Sequence, residues 1–178
     1  MKKIKTRIDF FKERPGMVIA ELGVYEGDFS NELLECKPAF LWLVDIWEGA
    51  CSSADKNGTN NTQNWDMFGT YLKLVDSFHY LENVCVIRGR SVDFLTRLPD
   101  DYLDCVYIDS DHSYETTIQE LRLSIPKVVK GGWITGHDYV HLAPGVIQAV
   151  DEFIIETGYK IEYMSEDGCP SFYIINDK

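Results

Sequence analysis

No apolar run in the 178-residue sequence approaches the roughly 18 residues that a membrane-spanning helix needs. The basic opening MKKIKTRIDFFKERP also lacks the apolar stretch of a signal peptide. A cytoplasmic chain with no membrane partner is expected. The five cysteines (Cys36, Cys51, Cys85, Cys105, Cys169) are odd in number, scattered and without a CxxC pair, so neither a disulfide framework nor a zinc site is indicated. Cys85 and Cys105 lie in apolar runs and read as small core residues. Positive charge is scarce too: 17 Lys and Arg face 29 Asp and Glu, a net charge of −12, which repels phosphate backbones and argues against a nucleic-acid partner. Internal repeats and interdomain linkers are missing, so residues 1–178 read as a single domain. What is present, 45% hydrophobic and 13% aromatic residues, is enough for a packed core.

Short apolar runs alternate with longer stretches of helical period, the pattern of a mostly parallel sheet covered by helices on both faces. The spacing predicts a basic amphipathic helix within 1–14 and strands at 17–22, 40–45, 83–88, 102–108, 132–136, 160–164 and 171–175. Helices are predicted at 27–36, 63–81, 91–97, 114–129 and 145–157. The sheet is thus doubly wound and seven-stranded, with an antiparallel last strand. Segment 49–62 (GACSSADKNGTNNT) has no periodicity and reads either as an active-site loop or as a tolerated surface insertion.

In such a sheet, ligands bind beyond the carboxyl ends of the strands. The first predicted strand ends in Glu21-Leu22-Gly23-Val24-Tyr25-Glu26-Gly27-Asp28. A dinucleotide fingerprint would place a second glycine where Tyr25 stands, and the acidic residues favour a cationic ligand over a phosphate. Nicotinamide and flavin dinucleotides are therefore disfavoured. Gly23 and Gly27 are also explained by a tight turn alone. Asp45, about 20 residues on, suits a grip on a ribose diol, with Ile46 against a purine, although a residue there can equally cap a strand exit. Asp109 and Asp138 follow two strands that, if paired at about 4.8 Å, open into one crevice and could share a divalent cation. His112 stands three residues after Asp109, within reach of a substrate hydroxyl as a general base, its tautomer held by Asp111 or Glu115. A solvated position at a helix start, with Asp111 or Ser113 as the cap, accounts for it as well.

The phrases AELGVYEGDFS, LVDIW, VYIDSDHSYE and GGWITGHDY…PGVIQAVDEF resemble the class I S-adenosylmethionine-dependent methyltransferases, and within them methyltransferase family 24, a branch similar to sugar O-methyltransferases. The resemblance runs from about residue 17 to 157 and implies a Rossmann-like fold. It further implies that Glu21, Gly23, Tyr25, Gly27 and Ser30 surround the methionine part of the cofactor, that Asp45 holds the ribose, and that Ile46 and Ser91 lie near the adenine. Asp109, His137 and Asp138 fall on positions that bind magnesium in metal-dependent members, and His112 where some relatives keep a base. His137 departs from that pattern, which has a carboxylate there, and imidazole suits manganese, iron or zinc better than magnesium. The expected partner is a small-molecule acceptor, with a homo-oligomer left open. A cofactor-binding protein of the same fold without catalysis is the rival reading.

Overall fold

The computed structural model describes residues 1–48 and 66–178. Its strands are β1 (Lys2–Ile4), β2 (Val18–Leu22), β3 (Phe40–Asp45), β4 (Val84–Arg88), β5 (Leu103–Ile108), β6 (Val128–Gly136), β7 (Ile161–Ser165) and β8 (Phe172–Ile175). The helices are α1 (Asp9–Lys12), α2 (Asp28–Glu35), α3 (Met67–Phe78), α4 (Ser91–Arg97), α5 (Tyr114–Lys127) and α6 (Pro144–Thr157). All eight strands form one sheet in the order β1-β7-β8-β6-β5-β2-β3-β4. Only β8 runs antiparallel to its neighbours. The reading of the architecture holds, with one strand more than the seven expected.

Covering both faces makes the central strands apolar throughout rather than alternating. Along β2, Ile19 packs into the core shared with Phe29 and Leu33 of α2, whereas Ala20 and Leu22 face the core under α4, α5 and α6. Local signals set the helix limits. Asp66 caps α3 by accepting from the Gly69 amide at 2.8 Å, and Ser113 caps α5 by accepting from the Thr116 amide at 3.2 Å. Helix α6 begins with a proline and ends at Gly158 with φ +74°.

Two expectations change. The predicted N-terminal helix is instead a three-residue strand and a single helical turn. Lys2–Ile4 satisfies the open edge of β7, which takes these residues out of any helix, and the remaining turn buries Phe10 and Phe11. Cys105 is buried in β5 as expected, but Cys85 is only half-buried because β4 is the edge strand. The expected loop at 49–62 lies outside the described residues. Among the described residues, no helix is long and apolar enough to cross a membrane.

Candidate functional site

Strand order reverses at the β2 and β5 pair, where Ile19 to Leu22 register with Cys105 to Ile108. Beyond their carboxyl ends the chains diverge and leave a crevice. The turn after β2 sits tightly on β5: the Asp109 amide donates to Leu22 O at 2.7 Å, and Gly23 has φ +90°. A Cβ on Gly23 would lie 1.9 Å from the Asp109 carbonyl oxygen, so only glycine lets the two strand ends meet. Gly27, at φ +83°, likewise faces Leu74, whose Cδ2 would stand 2.6 Å from an added Cβ. Both glycines therefore have packing reasons of their own.

Asp45 binds the same turn from the β3 side. Its Oδ2 accepts from the Val24 and Tyr25 amides at 2.8 and 3.0 Å, and its Oδ1 accepts from the Trp47 amide at 2.9 Å. The Trp47 indole donates back to the Tyr25 carbonyl at 3.0 Å. Two carboxylate oxygens offer about four acceptor sites, so this exit-capping role leaves capacity for a further hydroxyl. Beside it Ile46 is 45% exposed, an apolar side chain open to a flat ligand at the crevice rim.

Glu21 points from β2 towards α2 and is buried, accepting from the Ser30 hydroxyl at 2.6 Å. Burial pushes its carboxyl up to about 8, so the turn is less acidic than its composition suggests until a cation arrives to draw the proton off. Beyond β4, Ser91 opens α4. Nearby Glu120 of α5 is buried, its Oε2 accepting from the Ser110 hydroxyl at 2.9 Å. Burial raises this carboxyl to about 7, opposed by the hydroxyls of Ser91 and Ser110.

The densest chemistry lies at the ends of β5 and β6. His112 Nε2 stands 3.2 Å from Asp109 Oδ1 and 3.1 Å from Asp138 Oδ2. His137 Nδ1 stands 3.6 Å from Asp109 Oδ1 and 3.3 Å from Asp138 Oδ1. Burial works to raise the Asp109 carboxyl, but the bonds from the two imidazoles outweigh it and hold it at about 2. The same contacts lift His137 to about 9 against its own burial, and His112 upward through its hydrogen bond to Asp109. His112 and Asp138 both adopt left-handed backbone, at φ +60° and +57°, a strain that non-glycine residues carry only where the surroundings impose it.

Asp111 and Ser113 together build the start of α5: Asp111 Oδ1 accepts from the Ser113 amide at 2.9 Å and Oδ2 from the Thr116 hydroxyl at 2.9 Å. Asp111 is thereby engaged, so the His112 ring is held by Asp109 and Asp138 rather than by Asp111 or Glu115 as the sequence suggested.

One atom each from Asp109, His137 and Asp138 lies within 4.8 Å of the others, close enough for a single ion to reach all three. Two carboxylates and an imidazole fit a borderline divalent cation, and each carboxylate has a second oxygen besides the one that faces His112. Arg7 was not foreseen. Its guanidinium lies over the Phe29 ring at 4.1 Å and its Nη1 stands 3.6 Å from Asp109 Oδ2. No pattern in the basic opening distinguishes it from Lys5 or Lys12, because its place depends on the path of the chain between β1 and α1.

The structure thus gathers Glu21, Gly23, Tyr25, Asp45, Asp109, His112, His137 and Asp138 at the ends of four adjacent strands, with Gly27 and Ser30 at the start of α2. The model of methyltransferase family 24, described as a methyltransferase domain, matches residues 20–139. Protein R132 of Acanthamoeba polyphaga mimivirus is 27% identical over 165 residues, 88% of this chain and 69% of that protein. Among solved structures, the O-methyltransferase NovP superposes with a TM-score of 0.66 at 18% identity, covering 97% of this chain and 80% of NovP. An rRNA methylase from Streptococcus thermophilus gives 0.63 at 12% identity over 96% and 94% of the two chains. Those identities speak for the fold alone. With more than half of its length matched by the family model, the chain belongs to methyltransferase family 24, on the fold of S-adenosylmethionine-dependent methyltransferases.

Proposed function

We propose that the protein transfers a methyl group from S-adenosylmethionine to a hydroxyl of a small molecule, a sugar being the acceptor class the family resemblance favours. The observation that carries this reading is the His112 ring held by two carboxylates at the mouth of the crevice. With Nε2 facing Asp109 and Asp138, a proton on that nitrogen would leave the Nδ1 lone pair to accept one from an acceptor hydroxyl. The carboxylates that orient the ring also raise its basicity, as in other carboxylate-supported imidazoles. The remaining work is alignment: a nucleophilic oxygen must be held in line with the methyl group, and most of the barrier is lowered by positioning.

When bound, the cofactor supplies the methyl group as an electrophile on a sulfonium centre. Glu21, Tyr25, Ser30 and the Gly23 turn flank its methionine part, Asp45 takes the ribose hydroxyls on its remaining lone pairs, and Ile46 and Ser91 border the adenine. The acidic crevice suits that positive charge, and Gly27 supports the turn through α3. A divalent ion held by Asp109, His137 and Asp138 would supply a Lewis acid for the acceptor oxygen. The net charge of −12 favours a small acceptor over RNA, although an rRNA methylase shares the fold.

Calorimetric titration with S-adenosylhomocysteine, paired with methyl-transfer assays on a panel of hydroxylated small molecules and a structured RNA, tests this reading. Saturable binding and transfer to a small hydroxyl are expected, with transfer lost on chelation and restored by Mn²⁺. Transfer to RNA alone would overturn the acceptor class. Binding without transfer to any of them would favour a catalytically silent member of the family.

A further inference from the structure

We infer that Arg7 receives the α-carboxylate of the cofactor's methionine moiety and so makes the site selective for ligands that carry a complete amino acid. The inference rests on the S-adenosylmethionine reading above and assigns a residue outside the segment matched by the family model.

Arg7 is placed before any ligand arrives. Its backbone amide donates to Asp167 Oδ2 at 2.9 Å and its carbonyl accepts from the Tyr173 hydroxyl at 2.8 Å, which ties the segment between β1 and α1 to the β7 and β8 side of the sheet. The guanidinium carbon lies over the Phe29 ring, 4.1 Å from its centroid, in the first turn of α2, one residue before the Ser30 hydroxyl that binds Glu21. It therefore stands between the first turn of α2 and the end of β5.

A methionine end is a zwitterion, so a site for it needs an acidic group for the ammonium and a cation for the carboxylate. Glu21 and Asp109 provide the first. Of the cations around the crevice, His112 and His137 are both engaged between Asp109 and Asp138. Arg7 differs. Its contact with Asp109 is an ion pair at 3.6 Å, beyond hydrogen-bond length, and a hydrogen bond to Tyr107 takes one of its five donors, with Glu32 a further electrostatic neighbour. A guanidinium so oriented offers a planar fork of donors that matches a carboxylate in two-pronged fashion, which a lysine does not. The contact with the Phe29 ring limits the freedom of that side chain before a ligand arrives.

Calorimetry with two ligands tests the assignment: S-adenosylhomocysteine, and its decarboxylated analogue 5′-deoxy-5′-(3-aminopropylthio)adenosine. The wild-type chain should bind the first roughly 10- to 100-fold more tightly, the range expected for hydrogen bonds to a charged group. Arg7→Gln should bring the two affinities within about threefold of each other by weakening only the first, while Arg7→Lys should restore part of the preference. If Arg7→Gln keeps the full preference, the carboxylate is held elsewhere and the inference is wrong. Should Arg7→Gln fail to fold, the wild type still decides, since equal affinity for the two ligands would overturn the inference. Wild-type protein that binds neither ligand would overturn the cofactor reading itself, a failure distinct from equal binding of both.

Discussion

Asp45 illustrates how one side chain can serve both structure and ligand. Three backbone amides converge on its carboxylate and fix the turn carrying Gly23 and Tyr25, so Asp45→Ala would disturb the turn as well as any ribose contact. For Gly23 the structural duty is tested by stability in the absence of any ligand. Gly23→Ala puts a Cβ against the Asp109 carbonyl at φ +90°, and left-handed backbone alone costs an L-residue about 1–2 kcal/mol before the clash is counted. Urea denaturation should show a loss of at least about 2 kcal/mol; a loss under about 0.5 kcal/mol would mean that the strand ends can separate freely. For His112 the expectation is kinetic. His112→Ala should lower kcat by about 10²–10⁴-fold, the usual contribution of a positioned base, with S-adenosylhomocysteine affinity nearly unchanged in calorimetry. A kcat within roughly threefold of wild type would leave His112 as a residue that merely neutralises Asp109 and Asp138.

Among the elements, α1 is the one whose existence the sequence least explains. A single helical turn is not stable in isolation, because nucleation costs more than one turn returns. It persists here because Phe10 and Phe11 are buried side by side between the sheet and α2. Phe10 stacks on Tyr173 at 4.3 Å and meets the edge of Trp133 at 4.8 Å, whereas Phe11 lies edge-on to Phe29 at 5.9 Å. Phe11→Ala should accordingly cost about 3–5 kcal/mol, measured as a drop in the denaturation midpoint at constant m-value. Since Phe29 also carries Arg7, the variant should weaken cofactor binding as well. An amphipathic surface helix over 1–14 would instead predict a much smaller loss and no change in ligand affinity.

At the scale of the whole molecule, the buried carboxyls of Glu21 and Glu120 set a stability trend with pH. Both have folded-state pKa values above that of an exposed glutamate, at about 8 and about 7. The folded state therefore holds more protons than the unfolded one across that interval, and stability falls as pH rises from about 4.5 through 7 to 8. Glu120→Gln removes one of the two groups without changing shape. Its denaturation free energy should fall less between pH 5 and pH 8 than that of the wild type, the difference being of the order of 3 kcal/mol at most. Identical slopes for the two proteins would mean that the Glu120 carboxyl is hydrated and ordinary.

The order and type of the central elements were legible in the sequence because each local signal agreed with the tertiary arrangement. The run FLWLVD is β3 without a residue's difference, and Ser91 to Arg97 is α4, since apolar runs ending at polar residues and a 3.6-residue period need no distant partner to be recognised. Strand-end placement likewise marked Asp45, Asp109 and Asp138, for the carboxyl edge of a parallel sheet is where side chains are left free to act. Only the folded chain decided the rest. The strand at Lys2–Ile4 exists because β7 offers an open edge, and Arg7 enters the crevice because the segment after that strand crosses the sheet ends. The charge state of Glu21 depends on burial, and the partners of His112 depend on how β5 and β6 align. Periodicity and spacing carry information along the chain, whereas burial, register and ion pairing arise from contacts between residues far apart in it, and those contacts determined what each acidic and basic group in the crevice can do.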